Sequence, residues 1–159
     1  MISIDTNILL YSLNRDCPEH GAARAFVEAC AGRADVAIAE LVLIELYVLL
    51  RNPAVVRRPL DAGDAASLCQ VYRRHPRWAL VDAADVMDRV WAAAARPGAA
   101  RRHVFDARLA HTLLDHGIKE LATRNTRDFE GFGFERVFDP LPGAREGAEL
   151  AVLARRGFP

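Results

Sequence analysis

Cysteine is scarce in this 159-residue chain: Cys17, Cys30 and Cys69 stand far apart, with no Cys-x-x-Cys pair. That spacing excludes a disulfide framework and a zinc cage, and the three are read as reduced, mostly buried thiols. Net charge is missing too, because 21 acidic residues cancel 21 basic ones. No global positive field draws in nucleic acid or membrane, so a polyanion has to be met locally. Lysine occurs once, as Lys119, against 20 Arg, which leaves guanidinium forks for phosphate contacts. Only three serines occur, none in Gly-x-Ser-x-Gly, which removes the usual hydrolase elbow. His103, His111 and His116 lack His-Glu-x-x-His spacing and are read as solvated or core-edge imidazoles. GFGFER at 131–136 is not a Gly-x-Gly-x-x-Gly loop and precedes a strand candidate, which disfavours dinucleotide binding. The longest apolar run, LVLIELYVLL at 41–50, falls far short of the ~20 residues of a membrane span, and the N-terminus lacks a basic leader. A soluble, cytoplasmic protein is expected.

What is present suits one core: 52% hydrophobic and 26% charged residues over this length describe a single domain. Residues 2–4 form an apolar strand closed by Asp5, and Thr6 and Asn7 lead into a helix. A second helix is expected over about 19–31, with Ala22, Phe26, Val27 and Cys30 on its inner face and Gly32 at its end. Residues 36–39 read as a strand. LVLIELYVLLRNP follows as a helix apolar on nearly every side, stopped at Asn52-Pro53, which implies burial between layers. The 61–64 region caps a helix reaching about Arg74, with Leu68, Val71 and Tyr72 facing inward. WALVD at 78–82 is a third strand, and 84–95 is a helix broken by Arg96-Pro97-Gly98. A basic loop, Arg101-Arg102-His103, then enters a helix over about 104–116. Residues 120–123 and 136–138 are the last strands, joined by a loop with one helical turn. Residues 142–159 show no strand period and are expected to be a tail carrying a short helix, which bounds the domain at 1–141. Strands alternating with helices, without hairpin signals, predict a three-layer α/β domain on a mostly parallel five-stranded sheet flanked by helices.

Ligands of such a sheet gather beyond the carboxyl ends of its strands, at a topological switch. Asp5 falls at such an end, where it serves equally well as the N-cap of the following helix. Glu45 lies in mid-helix among apolar residues, where a buried carboxylate is costly without a partner or a cation. An edge position reaching water is its alternative. Asp106, in HVFDARLAH, sits in a first helical turn, where an acid also suits the helix dipole. Three acids at one end of a sheet repel one another unless a divalent cation joins them, and an all-oxygen set suits magnesium or manganese. In TRNTRDF, Asn125 and Asp128 are candidates for a further contribution, Asn125 through its carbonyl oxygen or a water, Asp128 more readily as a cap. Thr6, Asn7 and Thr123 carry groups suited to orienting the carboxylates or to ordinary turn hydrogen bonds. Phe129, Phe132 and Phe134 are assigned to the core rather than to base stacking.

IDTNILLY with Asp5, LVLIELYVLLRNP with Glu45 and FDARLAHTLLDHGIKELATRNTRDFEGFGFERVFDP with Asp106 form an ordered set. In that order they resemble the PIN-domain ribonucleases, in particular the VapC-type toxins of toxin–antitoxin systems. The resemblance spans residue 2 to near 141 and implies a PIN-like three-layer fold. It also implies magnesium or manganese bound at Asp5, Glu45 and Asp106, and hydrolysis of RNA phosphodiester bonds. On that implication Asp5 and Asp106 hold the cation, while Glu45 shares it or orients the attacking water. Further implied are an RNA substrate, a small antitoxin protein that covers the crevice, and a homodimer. Leu46, Val48, Leu49 and the helical faces near 54–72 offer apolar surface for such contacts, with core burial an equally good account of most of them. Where many members have another Asp, this chain has Asn125, and the lost charge favours a one-metal or substrate-completed site. Arg101, Arg102 and Arg124 flank the crevice in sequence and are the candidates for RNA phosphates, with solvated loop arginines as the alternative. Asn125 and the zero net charge also motivate a second reading, a PIN-like module that binds RNA or a protein partner without cutting.

Overall fold

Five short strands pair in parallel in the computed structural model, which describes residues 1–98 and 100–141. They are β1 (Ile2–Ile4), β2 (Val36–Ala39), β3 (Ala79–Val81), β4 (Glu120–Ala122) and β5 (Arg136–Phe138), in spatial order β3-β2-β1-β4-β5. β1 sets Ile2 opposite Val36 of β2 on one side and Ile4 opposite Ala122 of β4 on the other. Every residue of β1 and β2 is buried, as expected for parallel strands covered on both faces. The chain builds outward from β1 in both directions, so the switch point lies between β1 and β4.

Parallel pairing requires crossovers, and helices supply them. α1 (Thr6–Leu13) and α2 (His20–Ala31) join β1 to β2, and α3 (Glu40–Leu50) and α4 (Ala62–Arg73) join β2 to β3. α5 (Met87–Ala94) and α6 (His103–Asp115) join β3 to β4, and one 3-10 turn (Thr126–Phe129) precedes β5. Local signals set the ends. Asp61 caps α4 by accepting from Asp64 N at 2.8 Å. Gly117, at φ +73°, reverses the chain after α6 so that Ile118 N donates to Leu113 O at 2.9 Å. Ile4, Ile8, Leu9, Ile38, Leu46, Leu113 and Leu121 are fully enclosed in the main core. A smaller cluster of Val86, Val90, Ala93 and Ala107 binds α5 to α6.

The structure corrects five expectations. α3 is not buried on all sides: Ile44 is 61% and Val48 55% exposed, because only the face carrying Val42, Leu43, Leu46 and Leu50 packs inward. Leu46 is wholly buried and offers no surface to a partner. Val71 points outward from α4, and on α2 Ala23 rather than Ala22 is the buried alanine. Cys30 is buried, but Cys17 and Cys69 are only half-buried. The short helix expected over 142–159 lies outside the described residues. Among the described residues no helix is long and apolar enough to cross a membrane.

Candidate active site

Asp5 leaves β1 in extended backbone, φ −76° and ψ 157°, and its amide donates to Ala122 O of β4 at 3.0 Å across the switch point. Its buried carboxylate receives three donors. Oδ1 accepts from Thr6 N at 2.7 Å, while Oδ2 accepts from Asn7 Nδ2 at 2.7 Å and from Thr123 Oγ1 at 2.6 Å. The cap expected of Asp5 is present, and the two other donors exceed what a cap needs. Thr123 Oγ1 also accepts from Asn7 Nδ2 and from Asn125 N, each at 3.0 Å, and Asn7 Oδ1 accepts from Arg124 N at 3.2 Å. Thr6, Asn7 and Thr123 therefore lock the β1–α1 turn to the loop after β4.

Glu45 is exposed, contrary to the burial that first drew attention to it. It lies on the side of α3 that leaves the core, so desolvation does not distinguish it. Its tie to the crevice is Thr6, whose Oγ1 donates to Glu45 Oε2 at 2.7 Å while its backbone amide holds Asp5. Asp106, in the first turn of α6, is half-buried and has no hydrogen-bond or ion-pair partner among the described residues.

The acids sense one another. Burial pushes the Asp5 carboxyl up to about 6, against the hydrogen bonds from Thr123 and Thr6, and the charges of Glu45 and Asp106 push the same way. Burial likewise pushes Asp106 up to about 6; Asp128 and then Glu45 add repulsion, and Arg102 opposes it. Asp128 is thus the largest like charge on Asp106. It caps nothing: the 3-10 turn starts after Asn125 and has no side-chain cap. The cap expected of this residue is not formed. The signal available in sequence was its place one helical turn beyond β4, but which way a single turn points depends on tertiary packing.

Asn125 is exposed, and its one hydrogen bond to the network is made by its backbone. Arg101 and Arg102 lie exposed just ahead of Asp106. Arg124 is engaged in contacts within the chain. Its guanidinium donates to Asp139 Oδ2 at 2.9 Å and Leu141 O at 3.1 Å and lies 3.6 Å from Glu19. Among the described residues no three acids, histidines or cysteines converge into a ready ion cage. The donor set still fits a hard divalent cation, being all oxygen, mutually repelling and, at Asp106, without any partner of its own.

A parallel sheet in this order, with acids gathered at its switch point, is the architecture of a PIN domain. The chain belongs to the PIN-domain family, which residues 2–135 match, and it is of the VapC type. It is 64% identical over 141 residues to Ribonuclease VapC24 of Mycobacterium tuberculosis, covering 89% of this chain and 97% of that one. Among solved structures it is similar to M. tuberculosis VapC20, a Sarcin-Ricin loop cleaving toxin, with a TM-score of 0.65 and 21% identity over 84% of this chain and 96% of that one. A toxin-antitoxin complex from Klebsiella pneumoniae gives a TM-score of 0.55 and 23% identity over 88% and 98%. At those identities the two structures speak to the fold.

Proposed function

We propose that this PIN domain is a metal-dependent endoribonuclease and the toxin of a toxin–antitoxin pair. The observation that carries this reading is the pair Asp5 and Asp106, both pushed up to about 6 at the switch point while Glu45 and Asp128 add like charge. Carboxylates raised by burial and then by neighbouring like charge cluster at functional sites, and a bound cation relieves both effects. The 64% identity to a VapC ribonuclease supports RNA as substrate.

Asp5 and Asp106 would hold magnesium or manganese, with Asp128 supplying the further charge that Asn125 lacks. A bound cation would neutralise the acids, polarise a phosphodiester and offer a water of lowered pKa. Thr123 and Asn7 keep Asp5 in one orientation, and Thr6 fixes one oxygen of Glu45. The other oxygen of Glu45 remains to orient the attacking water. Arg101 and Arg102 are placed to meet substrate phosphate. The partners are cytoplasmic RNA and a small antitoxin protein, a reading that follows from the likeness to a VapC ribonuclease. A homodimer through the exposed Ile44 and Val48 face of α3 completes the proposal.

Expression in a bacterial host should arrest growth, and Asp106→Asn should abolish the arrest. Calorimetric titration of the purified chain with manganese should saturate, and the same variant should lose that binding. Arrest that persists in Asp106→Asn would overturn the catalytic reading and favour the non-cutting module.

A further inference from the structure

A recess of about 250 Å3 opens between α5, α6 and the segment that follows the 3-10 turn. Phe132 stands there between two imidazoles. His103 stacks on it at 5.3 Å between centroids and 29° between planes, and His111 meets its edge at 5.3 Å and 85°. Arg89 and Arg96 line the same recess, with Glu130 as the one acid among its lining residues. Arg89 is paired with Asp115 at 2.7 Å, whereas Arg96 has no ion pair among the described residues. Burial first, then the charges of Arg89 and Arg96, hold His111 below the ordinary imidazole range. Arg96 is thus the cation of the recess without an ion-pair partner among the described residues, and the imidazoles add hydrogen-bonding nitrogens beside it.

The recess borders the acid-bearing segments, since residues three apart on a helix are neighbours on its surface. His103 precedes Asp106 by three residues on α6, and Glu130 follows Asp128 by two. We propose that it is a subsite for a nucleotide flanking the scissile phosphate of single-stranded RNA. Its phosphate is taken by Arg96 and Arg89, and its base is laid against the Phe132–His103 stack. Cations that follow the backbone beside aromatic rings that accept bases are how single-stranded nucleic acid is held. An acidic protein segment would engage the arginines but has no use for the stack, which is why RNA is favoured. The identity of the ligand rests on the nuclease reading above.

The test uses the full chain carrying Asp106→Asn, a fluorescent single-stranded RNA and anisotropy at several salt concentrations, with and without manganese. Arg96→Glu should weaken RNA binding about tenfold, and Arg96→Gln should flatten the slope of log K against log salt by ~0.7, the loss of one phosphate contact. Phe132→Leu should weaken binding without changing that slope. In the parent chain, manganese affinity should be indifferent to Arg96→Gln. RNA binding unchanged in both Arg96 variants, or absent from the Asp106→Asn chain, would overturn the subsite. So would displacement by polyglutamate as effective as by unlabelled RNA of equal charge, which would assign the recess to an acidic protein. If the parent neither binds manganese nor cleaves RNA, yet Arg96→Glu loses RNA, the nuclease reading falls, and with it the place beside a scissile phosphate, while the recess stands as a contact for single-stranded RNA.

Discussion

Replacing Asp106 by Asn should make the metal-free protein more stable at neutral pH while destroying its capacity for a cation. The Asp106 carboxyl is raised from 3.8 to about 6, chiefly by burial and then by Asp128 and Glu45. A displacement of that size corresponds to about 3 kcal/mol against the charged form. Asp106 is half-exposed, so solvent screening reduces the figure to roughly 1.5 kcal/mol. The charge also favours the N-terminus of α6 by about 0.5 kcal/mol, which the variant forfeits. No hydrogen bond to the Asp106 side chain is lost among the described residues. The net expectation is about 1 kcal/mol in favour of Asn, or a rise in Tm of about 2–4 °C.

The pH dependence has a definite sign. The native carboxyl holds its proton to higher pH than the unfolded one, so charging it penalises the native state increasingly from about pH 4 and fully above about pH 7. Thermal melts in EDTA at about pH 7.5 should show the advantage of the variant. At about pH 4.5 only about a third of the penalty remains, and the native carboxyl is largely protonated and draws nothing from the helix dipole, so the advantage of the variant should shrink to about 0.5 kcal/mol. Manganese at pH 7.5 should raise the Tm of the parent and leave the variant unmoved. A variant less stable than its parent at neutral pH, or favoured equally at both pH values, would refute the idea that the acids are held in mutual repulsion.

Two further substitutions separate the site from its scaffold. Thr123→Val removes the hydroxyl that donates to Asp5 and accepts from Asn7 and Asn125. It should cost about 1–3 kcal/mol in urea unfolding and weaken manganese binding about tenfold by calorimetry. Leu46→Ala opens a cavity beneath Glu45 in the fully enclosed part of α3 and should cost about 2–5 kcal/mol, with manganese affinity retained by the folded fraction.

The alternation of strands and helices made the sheet legible, because parallel pairing leaves a simple signature of short apolar runs separated by crossovers. Asp5 was legible for the same reason: the end of the first apolar strand fixes where the next side chain falls. Glu45 was found through a premise the structure removes, since a helix read as apolar all round in fact leaves Ile44, Glu45 and Val48 outside. Sequence periodicity in α3 could not show which side the sheet covers, because nearly every position around it is apolar. The committed state of Arg124 was equally hidden, as Asp139 and Glu19 reach it from distant parts of the chain. His103, His111 and Phe132 looked like unrelated core-edge residues, and only the packing of α5 against α6 gathers them with Arg89 and Arg96.

Asn125 acquires a physical meaning from the placement of Asp128. Glu45 and Asp106 act on Asp5, Asp128 and Glu45 act on Asp106, and among the described residues Arg102 is the cation that opposes them at Asp106. A fifth carboxylate at 125 would add repulsion to two acids that are already pushed up to about 6, and so shift them further toward the protonated forms that bind no cation. A neutral amide there keeps a carbonyl oxygen available while leaving Asp5 and Asp106 as ionised as four crowded acids allow. If Asp128 takes the role proposed for it, the charge absent at Asn125 is offset, and an Asp128→Asn variant should weaken manganese binding in calorimetry while Asn125→Asp should not strengthen it.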